Sequence, residues 1–323
     1  MPTYDIICIG AGPTGLACAI EAQRAGMKPL VIDKGCLCNS IFHYPANMVF
    51  FTTPELLEIG DLPLVSAAEK PVRAEALKYY RKAAEHYDLE VRLFERVSRV
   101  DGQDGNFTIA AKRADGTEQK YGARKICVAT GYYDLPNVMG IPGEDLAHVS
   151  HYYTEPFEFW NRDVVIIGGK NSAAEAALDL YRNGARVTMV HRRPELGATI
   201  KYWVRPDIEN RLKAGQIKGL FESRVKEITR EEVVVQNGRD EKRLPAKQVF
   251  ALTGYHPDFA FIESLGVQLD PETRKPALDP NSLESNVPGI HLAGVVIGGR
   301  FTGEIFIENG RFHGKQIIAA LKG

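Results

Sequence analysis

Two stretches of the chain carry the same alternation of apolar and polar positions. In the first, an apolar run at residues 5–9 enters Gly10-Ala11-Gly12-Pro13-Thr14-Gly15, an alanine-rich segment continues to Gly26, and a second apolar run at 30–32 ends on Asp33. In the second, residues 164–167 enter Gly168-Gly169-Lys170, a small-residue segment ends at Gly184, and the run 186–190 ends on His191-Arg192-Arg193. Short unbroken apolar runs bounded by glycine predict strands covered on both faces, and the small-residue segments between them predict helices packed close on a sheet. Each stretch therefore predicts a βαβ unit of the dinucleotide-binding kind. The same offset of 23 residues separates Gly10 from Asp33 and Gly168 from His191.

The remaining pattern fills in around these units. Residues 34–64 mix aromatics with turn formers and show neither helical nor strand periodicity, which predicts loops around a flat apolar ligand, with Pro45, Asn47 and Thr52 as candidate neighbours of its ring. An amphipathic helix is expected at 73–87, with strands near 91–94, 107–111 and 125–129, the last closing on Thr130-Gly131. Pro136 and the following IPGEDL read as a crossover linker, and Thr253-Gly254-Tyr255-His256-Pro257 punctuates the chain in the same way. Between them, after the second unit, come a helix and strand within 200–221 and strands at 233–236 and 248–252. The C-terminal stretch from Gly289 reads as a strand, a glycine-rich turn and a helix, which cannot bury itself alone.

The ends of the two units differ in charge, and that difference bears on chemistry. A carboxylate at Asp33 accepts hydrogen bonds from an adenosine ribose, as FAD requires, with Gly10, Gly12, Pro13, Thr14 and Gly15 around its pyrophosphate. Guanidinium groups at Arg192 and Arg193, with His191 assisting, suit the 2′-phosphate of NADPH, with Gly168, Gly169, Lys170, Asn171, Ser172 and Ala173 forming the turn. A solvated basic turn after a strand gives the same residues. Lys170 brings a flexible ammonium where a glycine would let backbone approach the phosphates, so it contributes charge directly or points into solvent.

Composition narrows the class. The chain has 323 residues, 44% hydrophobic and 25% charged, and a formal net charge of −1, which predicts a soluble protein with two cores and no basic field for nucleic acid or an anionic membrane. The N-terminal apolar run enters a glycine turn too early for a signal peptide, and no apolar run is long enough to span a bilayer, so a cytoplasmic protein is expected. The five cysteines argue against a disulfide framework, and no metal site is expected. Cys36 and Cys38 are the rival redox chemistry. A pair spaced by one residue has poor disulfide geometry and follows Asp33 closely, so the pair reads as incidental. His43, His151, His256 and His313 are candidate proton donors that spacing does not separate.

GAGPTG with Asp33, Ala129-Thr130-Gly131, the inserted VVIIGG unit with its HRR, and TGYHP together resemble the thioredoxin-reductase-like flavoproteins. Within these, GGKNSAAEAALDLYRNGA, RPDIENR, TGYHPDFAF and EIFIENGRFHGKQI resemble the bacillithiol-disulfide reductase (YpdA-type) family along essentially the whole chain. The resemblance implies FAD, NADPH and reduction of the symmetric disulfide of a low-molecular-weight thiol in the cytoplasm. It adds Thr130, Gly131 and Gly294 to the candidate FAD residues, which also include Lys34 beside Asp33 and Asn47 of the following loop segment.

The departures are informative. Thioredoxin reductases carry a CxxC ahead of the second unit, where this chain has Tyr152 and Glu155. Many relatives have Cys where this chain has Thr14. Gly294 is followed by Val295 where the superfamily usually has Asp, and Lys170 replaces a glycine, both as in the YpdA-type family.

The expected fold is α/β, with two Rossmann-like three-layer domains in a thioredoxin-reductase-like arrangement. The FAD domain is built from 1–138 and 251–323, the NADPH domain is inserted at 139–250, and a homo-oligomer is expected. The alternatives are a ferredoxin or flavodoxin NADP⁺ reductase, which shares the scaffold and lacks CxxC, and a flavin-bound redox sensor acting through a protein partner.

Overall fold

The computed structural model describes residues 1–322. Its contacts divide the chain into two compact units, Met1–Leu135 with Tyr255 onward, and Pro136–Gly254. The crossings thus fall at 135/136 and 254/255 rather than 138/139 and 250/251. The reason is local pairing: Asn137 N donates to Gly254 O at 2.9 Å and Thr253 Oγ1 to Asn137 O at 2.6 Å, while His256 N donates to Leu135 O at 3.0 Å.

In the first unit, seven strands among the described residues form one sheet. Thr3–Ile9 lies between Pro29–Ile32 and Glu118–Val128, parallel to both, and Val91–Arg92 and Ile290–Leu292 extend the parallel part. Along Thr3–Ile9, Ile6 and Cys8 enter one core while Ile7 and Ile9 enter another. Alternate side chains are buried on opposite faces, so a strand of period two reads as an unbroken apolar run.

The helix Pro13–Arg24 covers one face together with His313–Lys322. Gly314 permits that packing, since a Cβ there would lie 2.8 Å from Cys18 Cα. The chain leaves the sheet on opposite sides of Thr3–Ile9, so the crevice at the carboxyl end of this strand is the topological switch point where such sheets bind ligands.

The expected strand at 107–111 is the middle of an antiparallel meander, Glu95–Gln103, Asn106–Arg113 and Glu118–Val128. The segment 34–64 is mostly irregular, as expected, with a short helix Asn39–Phe42 and one 3₁₀ turn, Pro54–Leu56. The helix Arg73–His86 packs Tyr79, Tyr80 and Ala83 into the core beneath it.

The second unit repeats the plan. Asp163–Ile167 lies between Arg186–Val190 and Gln248–Ala251 in a five-stranded parallel sheet, with Asn171–Arg182 packed on it. A separate three-stranded antiparallel sheet, Arg224–Ile228, Glu232–Asn237 and Asp240–Pro245, was expected only at its apolar middle strand. No helix among the described residues is long and apolar enough to cross a membrane.

Candidate functional site

In the first unit the three glycines of the turn do different work. A Cβ on Gly10 would lie 2.3 Å from Ala129 O, and one on Gly15 would lie 1.9 Å from Gly10 O, so both positions are closed by backbone. A Cβ on Gly12 would meet nothing within 4 Å. The turn is therefore tight at its ends and open at its middle, beside a helix whose first N–H groups have no side-chain cap. That combination suits a diphosphate.

Asp33 braces this turn from the next strand. Its Oδ2 accepts from Ala11 N at 2.6 Å and its Oδ1 from Gly35 N at 2.8 Å. Burial raises its pKa above the usual carboxylate value, against the lowering effect of these two bonds. A carboxylate offers about four lone-pair sites, so two remain for a ribose. Lys34 pairs with Asp134 at 2.8 Å.

Around the turn, Thr130 Oγ1 is buried without a hydrogen-bond partner, an orphan that a bound group would satisfy. Gly131 and Gly294 adopt left-handed backbone, φ +73° and +77°, and a Cβ on Gly294 would press 3.0 Å from Thr14 Oγ1. Thr14 thus lies against the C-terminal turn, a contact that spacing alone does not reveal. Asn47 is exposed, and Pro45 and Thr52 are half-buried.

The rival thiols are not paired. All five cysteines are free. Cys38 is buried in the core beneath the loop with left-handed backbone, φ 53°, and burial pushes its thiol well up. Cys36 Sγ bonds Asn39 Oδ1 at 3.5 Å, and burial raises its thiol too. Neither is an activated thiolate.

The four histidines separate by environment. His43 Nδ1 sits 2.8 Å from Asn39 O and His256 Nδ1 2.8 Å from Pro257 O. His151, in the second unit, lies between Ala251 O and Glu144. His313 is buried in the first unit beside Gly294.

In the second unit, a Cβ on Gly168 would lie 2.6 Å from Leu252 O and one on Gly169 2.5 Å from the His191 ring. Lys170 has extended backbone, φ −113° and ψ −167°, which any residue adopts. That is why a lysine is tolerated in a glycine position here, and its side chain is exposed. The side chain of Asn171 is engaged within its own unit. Its Oδ1 accepts from Lys201 N at 2.9 Å and its Nδ2 donates to Thr199 O at 3.1 Å, so the side chain staples the 197–201 loop. Ser172 is exposed and Ala173 is buried against Gly168.

Arg192 and Arg193 are exposed, while their backbone is fixed: His191 N donates to Leu220 O, Glu222 N to Arg193 O and Ser223 N to His191 O, at 2.8 to 3.0 Å. His191 is expected to assist the two arginines, and its ring lies inside the turn. Burial lowers its pKa, and the neighbouring Arg192 and Arg193 lower it further, while its ring packs closely on Gly169. Its Nε2 is buried without a partner.

Glu175 was missed. It stands among Ala173, Ala174, Ala176 and Ala177 on the helix leaving the turn, and the one carboxylate in an alanine face was the available signal. Burial pushes it up to about 7, and its Oε1 has no partner. Because the folded state binds this proton more tightly than the usual value of 4.5, stability falls as pH rises from 4.5 through 7. Glu175→Gln should therefore raise stability at pH 8 by about 2 kcal/mol, with the gain vanishing near pH 4.5. Urea unfolding at both pH values checks this; a gain that is equal at the two refutes it.

A family model described as "Pyridine nucleotide-disulphide oxidoreductase" matches residues 7–294. The chain is 43% identical over 316 residues to bacilliredoxin reductase Bdr of Bacillus subtilis (strain 168), covering 98% of this chain and 96% of the relative. The solved structure of bacillithiol disulfide reductase Bdr (YpdA) from Bacillus cereus matches with a TM-score of 0.96 at 44% identity, covering 99% of this chain and 98% of that one. The Staphylococcus aureus protein of the same description gives 0.93 at 38%, with the same coverage. The two glycine turns, the orphaned polar atoms beside them and these likenesses converge: the chain belongs to the pyridine nucleotide-disulphide oxidoreductases, flavin enzymes of thioredoxin-reductase-like fold.

Proposed function

We propose that the chain is an NADPH-dependent, FAD-containing reductase of a low-molecular-weight thiol disulfide, bacillithiol disulfide or a close analogue, working in the cytoplasm as a homo-oligomer. The opposite charge of the two turns carries the reading: Asp33 ends the first and Arg192-Arg193 the second. The high identity to Bdr proteins supports the substrate class. The first unit then holds FAD and the second NADPH.

When bound, the two cofactors supply hydride transfer and the two electrons that break a disulfide. The chain's residues bind and orient. Gly12 and the open helix end receive the FAD diphosphate, and Asp33 accepts from its ribose while bracing Ala11 and Gly35. Thr130 Oγ1 gains a partner. In the second unit, Gly168, Gly169 and the backbone of Asn171 to Ala173 receive the nucleotide diphosphate. Lys170 and the two arginines supply charge, and His191 keeps the turn in shape. With Tyr152 and Glu155 where a CxxC would lie, and Thr14 in the first turn, no thiol of this chain is needed to relay electrons.

Steady-state NADPH oxidation tests the reading against its rivals. Turnover should depend on bacillithiol disulfide. Turnover with ferredoxin but none with bacillithiol disulfide would establish the ferredoxin reductase, and turnover only with a bacilliredoxin would make the acceptor a protein.

A further inference from the structure

The C-terminal turn at Gly294 depends on one buried side chain. Gly294 N donates to His313 Nδ1 at 2.9 Å, and both residues are buried. A nitrogen that accepts carries no proton, so the imidazole is neutral with its proton on Nε2. Burial also lowers the pKa of this histidine, in the same direction.

Neither partner is free to move. A Cβ on Gly294 would press against Thr14, and one on Gly310 would lie 3.1 Å from Thr14 Oγ1, so Thr14 is wedged between two close-packed glycines. On the other side, Gly314 is seated on Cys18, where a Cβ would lie 2.8 Å from its Cα, and this fixes the start of the helix that carries His313. The Gly294–Gly298 turn, the first turn of Pro13–Arg24 and the end of the short helix Ile307–Gly310 therefore meet at Thr14, and His313–Lys322 starts beside them, seated on Cys18.

We propose that His313, through its unprotonated Nδ1, is the positioning residue that holds the Gly294 turn against Thr14 in the shape that binds FAD. The proposal rests on the reading of the first unit as the FAD unit. Its chemistry is specific. An asparagine places Oδ1 where histidine places Nδ1 and can accept the same bond, whereas alanine leaves the Gly294 N–H buried without an acceptor.

The test uses the full-length holoenzyme, its deflavinated form, and the variants His313→Ala and His313→Asn. His313→Ala should weaken FAD binding roughly tenfold to a hundredfold, as expected for an orphaned buried donor, and shift the flavin absorption bands. His313→Asn should restore both. Unchanged FAD affinity and spectrum in His313→Ala, or His313→Asn behaving as His313→Ala, overturns the proposal. If His313→Ala does not fold, nitrogen-15 spectra of the wild-type imidazole decide: an unprotonated Nδ1 supports the proposal, and a protonated Nδ1 overturns it. A wild-type protein that binds no FAD would instead refute the reading of the unit, while the same spectra would still report the tautomer.

Discussion

Replacing Arg192 and Arg193 together by alanine is expected to raise the Michaelis constant for NADPH about a hundredfold and leave that for NADH nearly unchanged. Both side chains are exposed, so water and salt screen them, and the effect sits at the low end of what two charge-assisted contacts to a phosphate can give. The loop should survive the change. Its backbone is held by the bonds of His191, Glu222 and Ser223, none of which involves a guanidinium group. The discrimination should weaken as ionic strength rises. Equal losses for NADPH and NADH would remove the 2′-phosphate from the argument and return these residues to a solvated turn.

Asp33→Ala should produce protein nearly devoid of FAD and less stable even without it. Two effects combine here. The carboxylate accepts from Ala11 N and Gly35 N, and hydrogen bonds to a charged acceptor are worth about 1.5 to 3 kcal/mol each. Its loss also removes the ribose acceptor, and with it the stabilisation that a ligand of the folded state confers. Comparing deflavinated wild type with the variant isolates the brace, for which a fall in Tm on the order of 5 °C is expected. Comparing the FAD-loaded forms adds the ligand. Asp33→Asn should fall between, because its amide can accept from one N–H but presents its own donors to the other. Full FAD occupancy with an unchanged Tm would count against both roles.

The parts of this molecule that were legible in its sequence are those whose burial is written into local pattern. The strands Thr3–Ile9 and Asp163–Ile167 are covered on both faces, so they stand out as unbroken apolar runs ahead of glycine. The antiparallel meanders were harder. Glu95–Gln103 and Asp240–Pro245 are largely exposed, and their alternation is drowned by charge.

The site divides in the same way. Gly10, Gly12, Gly15 and Asp33 follow from a local turn whose spacing is diagnostic. The setting of Thr14 against Gly294 and Gly310, and the bond from Gly294 to His313, join residues nearly 300 positions or some 20 positions apart, and no local pattern encodes them. His191 shows the limit of reading charge from residue type. Half-buried beside two arginines, it has its pKa lowered, and its ring packs on Gly169. Asn171 shows another, since both ends of its amide are engaged by a loop 28 to 30 residues away.

Electrons are expected to reach the disulfide from bound flavin without a protein thiol, and anaerobic titration with NADPH tests this most directly. Cys36 and Cys38 are both free, and one is sealed in the core. The protein should therefore take up one equivalent of NADPH per FAD, and bacillithiol disulfide added afterwards should restore the oxidised flavin spectrum. Cys36→Ser/Cys38→Ser protein should behave identically. Uptake of a second equivalent, lost together with turnover in that variant, would contradict the account and make the cysteine pair the carrier.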